Sequence, residues 1–137
     1  MTTSEFDYSK IKVLLIEDES HTRAIIRSQL LHLGVREIAE APNGKEGMLQ
    51  LVRVRPHLVL CDVHMDVMDG REFLATLRAL KVEKVRDTPV IFLTADAQRD
   101  TVIFAKEHAV NGYLVKPVSV AQLKAHIDAV ASKLELK

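Results

Sequence analysis

The chain has 137 residues, a length that argues for one domain and leaves no room for a second. Apolar residues make up 47% and charged residues 28% of the sequence, which excludes intrinsic disorder and supplies enough apolar side chain for a core. Nineteen basic side chains balance nineteen acidic ones, so the formal net charge is zero. A balanced charge argues against direct binding of nucleic acid and favours a protein or small-ligand partner.

The cysteine content and the N-terminus bear on where the protein works. The single cysteine, Cys61, cannot form an internal disulfide, which fits a reducing compartment. Residues 1–10 lack the apolar region of a signal peptide, and no apolar run approaches the ~20 residues of a membrane helix. We therefore expect a cytoplasmic protein without membrane contact, in which residues 1–9 form a tail and residues 10–137 form the domain.

Short apolar runs alternate with amphipathic segments along the rest of the chain. The predicted strands are residues 11–16, 37–41, 58–61, 90–93 and 113–115. The expected helix signals are Ser20 and Gly34 at the two ends of the first helix, Asn43 before the second, Gly70 before the third, and the capping box of Ser119 and Gln122 before the last. A polar connection at residues 81–87 precedes the fourth strand, and the helix after that strand runs to about His108.

This alternation predicts an α/β fold of the (βα)₅ type. Strands that are apolar along nearly their whole length are typical of a parallel sheet covered on both faces. Right-handed crossovers then produce a doubly wound sheet, in which ligands bind beyond the carboxyl ends of the strands.

Polar side chains follow four of the five predicted strands. They are Glu17 and Asp18 after the first strand, Asp62 after the third, Thr94 after the fourth and Lys116 after the fifth. Crowded carboxylates suit a hard cation such as Mg²⁺, which takes carboxylate, water and phosphate oxygens. An aspartate in this position can act as a nucleophile toward phosphorus, and the cation, the lysine and the threonine can neutralise phosphoryl oxygens.

These residues and their order resemble the receiver domain of two-component response regulators, over about residues 10–134. The matching motifs are Glu17-Asp18, Asp62 within LVLCDVHMDVMDG, Thr94-Ala95, and Tyr113-Leu114-Val115-Lys116-Pro117. The similarity extends to single-domain regulators of the chemotaxis type, and it implies the flavodoxin-like strand order 2-1-3-4-5. It implies a phosphoacceptor switch that catalyses only its own phosphorylation and dephosphorylation.

The resemblance also implies a role for each acidic residue. Asp62 would accept a phosphoryl group from a sensor histidine kinase or a histidine phosphotransfer protein. Asp18, Asp62 and the backbone carbonyl of His64 would bind Mg²⁺, for which Mn²⁺ can substitute, while Glu17 would act through water.

The remaining motif residues would bind the phosphoryl group or respond to it. Thr94, with Ala95 beside it, and Lys116 would contact phosphoryl oxygens, and Tyr113 would change rotamer together with Thr94. The peptide bond before Pro117 would be cis, which costs only about 0.5–1 kcal/mol before a proline.

Three positions near the expected site are unusual or variable in the family. Asp66 stands where the family often has proline, so this loop is more acidic and less rigid than usual. His64 and Asp96 occupy variable places beside the phosphoacceptor, where we expect them to modulate the dephosphorylation rate in a direction that stays open.

The helix after the fourth strand is the expected partner surface. At its 3.6-residue period, Val102, Ala105 and Ala109 should pack on the sheet. Ile103 and Phe104 then lie roughly 130° from the centre of that face, unless a slight rotation buries one of them. In the resembling family this helix, the fifth strand and the last helix carry the signal to a downstream protein. We expect a monomer or a weak phosphorylation-dependent dimer.

Four alternative functions are compatible with parts of the sequence. A zinc site at His57 and Cys61 is excluded because the four-residue spacing along a strand spans roughly 13 Å. An FMN-binding flavodoxin-like protein is disfavoured by the acidic first loop, which would repel phosphate. A haloacid-dehalogenase-like phosphatase would place a second aspartate at position 64, where this chain has histidine. A receiver-shaped module that is never phosphorylated would not need the intact acceptor, and the alternative of a fragment of a longer regulator stays open.

Overall fold

The computed structural model describes residues 6–95 and 99–134, apart from the side chains of residues 99–101 and 105. Five parallel strands form one sheet: β1 (Lys12–Ile16), β2 (Glu37–Ala41), β3 (Leu58–Asp62), β4 (Val90–Thr94) and β5 (Gly112–Val115). Their order across the sheet is β2-β1-β3-β4-β5. The predicted doubly wound α/β fold and its strand order are confirmed.

The helices connect the strands as the alternation predicts. They are α1 (Ser20–Leu33), α2 (Gly44–Val54), α3 (Gly70–Arg78), α4 (Glu83–Arg86), α5 (Arg99–Glu107) and α6 (Val120–Ala131). Within the described ranges, no helix combines the length and the apolar character needed to cross a membrane.

Each face of the sheet carries its own apolar cluster. Successive side chains of a strand point to opposite faces, so β1 contributes Val13 to one cluster and Leu14 to the other. The first cluster includes buried side chains of α1 and α6, and the second includes buried side chains of α2 and α3. Because both faces are covered, polar chemistry is confined to the ends of the strands.

Most of the predicted capping signals are confirmed. They are the left-handed Gly34 that ends α1, Asn43 at the start of α2, and the reciprocal capping box of Ser119 and Gln122 at the start of α6. Ser20 and Gly70 are the exceptions, because they are already the first helical residues of α1 and α3. The cap of α1 is Glu19, whose carboxylate accepts a hydrogen bond from the backbone N–H of Thr22, and the cap of α3 is Asp69.

Two segments differ from the sequence-based expectation. The polar connection contains the short helix α4, which forms because Val85 is buried against the second cluster. At the N-terminus, residues 6–9 are not a tail: Phe6 and Tyr8 pack against the first cluster, and the Tyr8 hydroxyl donates to the Asp128 carboxylate in α6. Because the rings of Phe6 and Tyr8 are partly buried next to β1, these residues belong to the folded domain.

Candidate functional site

Three carboxylates meet at the carboxyl edge of the sheet. One oxygen each from Glu17, Asp18 and Asp62 lies within 4.8 Å of the other two. Glu17 follows β1 directly, and its backbone N–H donates to the Ala41 carbonyl at the end of β2 at 3.0 Å. Glu17 and Asp62 are only 1% and 5% exposed, whereas Asp18 is open to solvent. The fold thus assembles the predicted acidic cluster from two adjacent strands.

Lys116 supplies the positive charge opposite this cluster. Its Nζ lies 2.5 Å from Oε1 of Glu17 and 3.3 Å from Oδ1 of Asp62. Its backbone N–H donates to the Thr94 carbonyl at 2.6 Å, which fixes the residue beside the end of β4. The ammonium is therefore held where it can contact oxygens attached to Asp62.

Burial and charge crowding shift the acid–base equilibria of this site. Burial raises the pKa of Glu17. The hydrogen bond from Lys116 opposes this increase, and the Asp62 charge adds to it. Burial also raises the pKa of Asp62, where Lys116 opposes the shift and Asp18 adds to it. For Lys116, burial works to lower the pKa, but the Glu17 bond and the Asp62 charge outweigh it and raise the pKa. The three carboxylates are thus incompletely neutralised by one ammonium.

The donor set fits a magnesium ion. Mg²⁺ prefers oxygen ligands at 2.0–2.1 Å, so two ligands on opposite sides of the ion lie about 4.2 Å apart. The oxygens of the acidic cluster lie within 4.8 Å of one another, and all three potential ligand atoms are carboxylate oxygens. Asp18 and Asp62 would hold such an ion. The oxygens of Glu17 accept bonds from Lys116 and from the backbone N–H of Glu19, at 2.5 and 3.2 Å.

The loop between β3 and α3 lies directly against the phosphoacceptor candidate. A side chain on Gly70 would place its Cβ only 2.3 Å from the Asp62 carbonyl oxygen, so this position admits no larger residue without movement. The Gly70 N–H donates to the Val63 carbonyl at 2.9 Å. His64 is exposed. The role of its backbone carbonyl as a metal ligand stays a prediction. The sequence analysis did not predict this close approach of Gly70 to Asp62. The glycine at the end of the motif LVLCDVHMDVMDG was the feature of the sequence that could have indicated it.

The same loop contains a strained turn. Val67 has a φ of 72°, an unusual value for a β-branched residue. The Met68 N–H donates to the Asp66 carbonyl at 2.9 Å across it, as in a three-residue turn. Met68 in turn accepts a hydrogen bond from the backbone N–H of Gly44, at 2.8 Å, at the start of α2. Asp66 is therefore an exposed acid in a loop whose C-terminal part is hydrogen-bonded to the start of α2.

The predicted switch residues lie at the ends of β4 and β5 or within β5. Thr94 is fully buried, and Ala95 beside it is exposed. The Tyr113 ring packs edge-to-face on Phe92 with centroids 6.3 Å apart, so it is partly buried. The bond between Lys116 and Pro117 is cis, as predicted. Asp96 lies outside the described residues.

Helix α5 matches the expected orientation in part. Ile103 is 45% exposed, as expected for a surface position. Phe104 is half-buried, because the Arg71 guanidinium lies 4.7 Å from its ring centroid and the His108 imidazole stacks on it at 4.1 Å. The two predicted surface residues thus differ: one faces solvent and the other lies between charged and aromatic neighbours.

The predicted packing face of α5 needs one correction. Val102 is half-buried, and the side chain of Ala105 lies outside the described part of the helix. Ala109 does not pack on the sheet: α5 ends at Glu107, and Ala109 is exposed with a φ of 57°. The helical period fails there because the chain has already left the helix.

Comparison with known proteins identifies the family. The family described as "Response regulator receiver domain" matches residues 13–128. The chain belongs to this family. Chemotaxis protein CheY-3 of Vibrio cholerae is 34% identical over 124 residues, which cover 90% of this chain and 94% of the relative. Chemotaxis protein CheY of Pseudomonas aeruginosa is also 34% identical over 124 residues, covering 90% and 98%.

A solved structure agrees with this assignment. Chemotaxis protein CheY4 of Vibrio cholerae matches with a TM-score of 0.80 at 28% identity, covering 88% of this chain and 98% of that chain. Receiver domains are the phosphorylation-controlled switches of two-component signalling. This chain is accordingly a signalling switch of the same kind.

Proposed function

We propose that Asp62 accepts a phosphoryl group from the phosphohistidine of a sensor histidine kinase or a histidine phosphotransfer protein, with Mg²⁺ bound by Asp18, Asp62 and the His64 carbonyl. The observation that carries the proposal is the position of Asp62, which is buried between the Lys116 ammonium and the acidic pair. Mg²⁺, or Mn²⁺ in its place, would neutralise charge on the transferring phosphoryl group.

The transfer itself requires little from the protein beyond position and charge. A carboxylate oxygen of Asp62 attacks phosphorus, the P–N bond of the donor breaks, and its electron pair leaves with the imidazole nitrogen. Lys116, now 3.3 Å from Asp62 Oδ1, would bind one phosphoryl oxygen, and the hydroxyl of Thr94 would bind another. The chain would catalyse only this transfer and the later hydrolysis, in which water releases the phosphoryl group. His64 and Asp96 would modulate the rate of that second step.

The signal would leave through α5, β5 and α6. Movement of Thr94 toward the phosphoryl group would open space for Tyr113, whose ring lies on Phe92 beside β5, and would shift α5. Exposed Ile103 and the shielded Phe104 would then contact a downstream protein. We propose this face as the protein-binding surface, on a monomer or a weak phosphorylation-dependent dimer.

Mass spectrometry after incubation with Mg²⁺ and acetyl phosphate tests the acceptor. We expect one phosphoryl group per chain in the native protein and in Asp66→Asn, which removes an exposed acid of the same loop. We expect none in Asp62→Asn, and none when EDTA is added before the donor. Full labelling of Asp62→Asn on another residue would refute the assignment, and turnover of a generic phosphate ester would favour a phosphatase instead.

Phe104→Ala separates a partner contact from a core contact. Because the ring is half-buried, we expect a loss of unfolding free energy of about 1–2 kcal/mol, below the 3–5 kcal/mol typical of a buried phenylalanine. We expect normal phosphorylation of Asp62 but weakened binding of the phosphorylated form to its target. Leu49→Ala on α2, which also removes an exposed apolar side chain, should leave that binding unchanged. A loss of stability as large as that of Phe73→Ala would show that Phe104 belongs to the core.

A further inference from the structure

Arg23, in the first turn of α1, is bound to the backbone of the acidic loop. Its Nη1 donates to the carbonyl oxygen of Glu17 at 2.8 Å. This carbonyl and the N–H of Asp18 belong to the same peptide group, which is planar. The guanidinium therefore fixes the peptide plane that leads directly into Asp18.

The same guanidinium is itself held by the sheet. Its Nε lies 3.2 Å from Oε1 of Glu40, a residue of β2 that pairs with Leu15 of β1. The other carboxylate oxygen of Glu40 accepts a bond from Nη1 of Arg27 at 2.8 Å. These three side chains are partly shielded, with exposures between 23% and 42%. We call Arg23, Glu40 and Arg27 the arginine brace.

Asp18 is the acid of the cluster that most needs such support. Glu17 is held at its N–H by Ala41 and at its carboxylate by Lys116 and Glu19. Asp18 is exposed, and two like charges lie within 4.8 Å of its own. Repulsion would turn an exposed carboxylate outward, so a fixed backbone limits the directions that it can take.

We propose that Arg23 is a positioning residue for Asp18, and through it for Mg²⁺ binding. This inference rests on the proposed function, because it assumes that Asp18 is a metal ligand. Glu40 holds the fork of Arg23 in place, since a planar guanidinium presents its donors in a fixed geometry that an ammonium cannot copy. Groups that orient metal ligands commonly change metal affinity 10- to 100-fold when removed.

The sign of the effect distinguishes this role from simple electrostatics. Arg23 carries a positive charge near a site for a divalent cation, so its charge alone repels Mg²⁺. Removing that charge should tighten Mg²⁺ binding if the residue acts only through its field. Removing a positioning residue should instead weaken binding. The two explanations therefore predict opposite changes for the same substitution.

Calorimetric titration of the full chain with MgCl₂ is the test, with Arg23→Met, Arg23→Lys and Arg27→Met as variants. We expect Arg23→Met and Arg23→Lys to weaken Mg²⁺ binding about tenfold. Arg27→Met removes a charge of the brace but leaves both bonds of Arg23, so its affinity should be unchanged or slightly higher. In metal-free protein, NMR relaxation should show a lower backbone order parameter at Asp18 in Arg23→Met than in the native chain.

Equal or tighter Mg²⁺ binding by Arg23→Met would overturn the positioning role, and so would equal weakening by Arg27→Met. If Arg23→Met fails to fold, Arg23→Lys decides alone, because it keeps the positive charge and loses the planar fork; equal or tighter Mg²⁺ binding by that variant would overturn the positioning role. Absence of Mg²⁺ binding by the native chain would refute the proposed metal site itself. Native binding with an unaffected Arg23→Met would refute only this inference.

Discussion

The two edges of the sheet use charged side chains in opposite ways. At the carboxyl edge, Glu17, Asp18 and Asp62 lie close together, and the Lys116 ammonium contacts Glu17 and Asp62. At the amino edge, charged and polar side chains face the backbone instead. Arg78, at the end of α3, donates five hydrogen bonds to carbonyl and amide oxygens of Arg86, Thr88, His108, Ala109 and Asn111, at 2.7–3.2 Å.

His57 and Asn111 extend this pattern along the amino edge. The backbone N–H of His57 donates to the Lys12 carbonyl, and its Nδ1 accepts from the Lys12 N–H, both at 2.9 Å. The side-chain oxygen of Asn111 accepts from the N–H of Val90 at 2.9 Å. The polar groups named at this edge are hydrogen-bonded and stabilise the fold, whereas the three carboxylates at the other edge are crowded like charges. The groups that stabilise the fold and the crowded carboxylates thus lie at opposite ends of the strands.

Among the substitutions at the two edges, replacing Arg78 should change the free energy of unfolding most. Arg78→Met leaves several carbonyls of the amino edge without their donor, so we expect a loss of about 3 kcal/mol in unfolding free energy. Arg86→Met, which breaks only an exposed pair with Asp87, should cost less than about 0.5 kcal/mol. Urea denaturation of both variants measures the contrast. Similar losses would mean that the guanidinium of Arg78 contributes no more than a surface charge.

A smaller change of opposite sign is expected at the carboxyl edge. Asp18→Asn removes one of three crowded charges, so the metal-free protein should gain on the order of 1 kcal/mol in unfolding free energy. The same variant should lose Mg²⁺ binding, so the native protein should gain more from added Mg²⁺. Asp66→Asn is the matched control, because it removes an exposed acid of the neighbouring loop. A lower urea midpoint for metal-free Asp18→Asn would contradict the repulsion.

The pH dependence of the metal-free protein reports on the same edge. Burial raises the pKa of Glu17 and of Asp62. A raised pKa favours the protonated form in the folded state, so this stabilisation is complete below the unfolded pKa of about 4 and is lost as pH rises through the folded values. We expect the stability difference between Asp62→Asn and the native chain to widen from pH 4.5 to pH 7 in EDTA. A difference that is constant with pH would contradict the raised pKa values.

The smallest effect should come from the amino edge, with the opposite pH dependence. Burial lowers the pKa of His57, and the Lys12 charge adds to the shift. A lowered pKa favours the neutral form, which accepts the Lys12 N–H, so this contribution is present above about pH 6.5 and is lost as pH falls through the folded value. Thermal unfolding of the native chain and of His57→Gln between pH 5 and 7.5 should show a pH-dependent difference. Parallel curves would show that His57 does not titrate differently on folding.

The strands and the acidic residues at their ends could be predicted from the sequence because each depends on local pattern. Apolar runs define the strands, and the parallel topology gathers their carboxyl ends at one edge. The strand order followed from the resemblance rather than from the pattern itself. The N-cap at Glu19 was missed because Ser20 is the more common capping residue, although a glutamate carboxylate can reach the same N–H.

Contacts between distant segments were beyond the sequence pattern. The shielding of Phe104 depends on Arg71, which lies in another helix, and the packing of Tyr8 depends on Asp128 at the far end of the chain. The brace from Arg23 to Glu40 likewise joins α1 to β2. Such contacts arise only when the fold brings the side chains together, and no periodicity encodes them.

The burial of Cys61 has a practical consequence for chemical labelling. The thiol is fully buried in β3, between β1 and β4, and burial together with the Asp62 charge raises its pKa. Since the thiolate is the reactive form and this is the chain's one cysteine, alkylating reagents should spare the native protein. A cysteine introduced at an exposed position such as Ile103 would then be modified alone, without first replacing the native one. The slow rate at which Cys61 is modified would in turn report how often the central strands open.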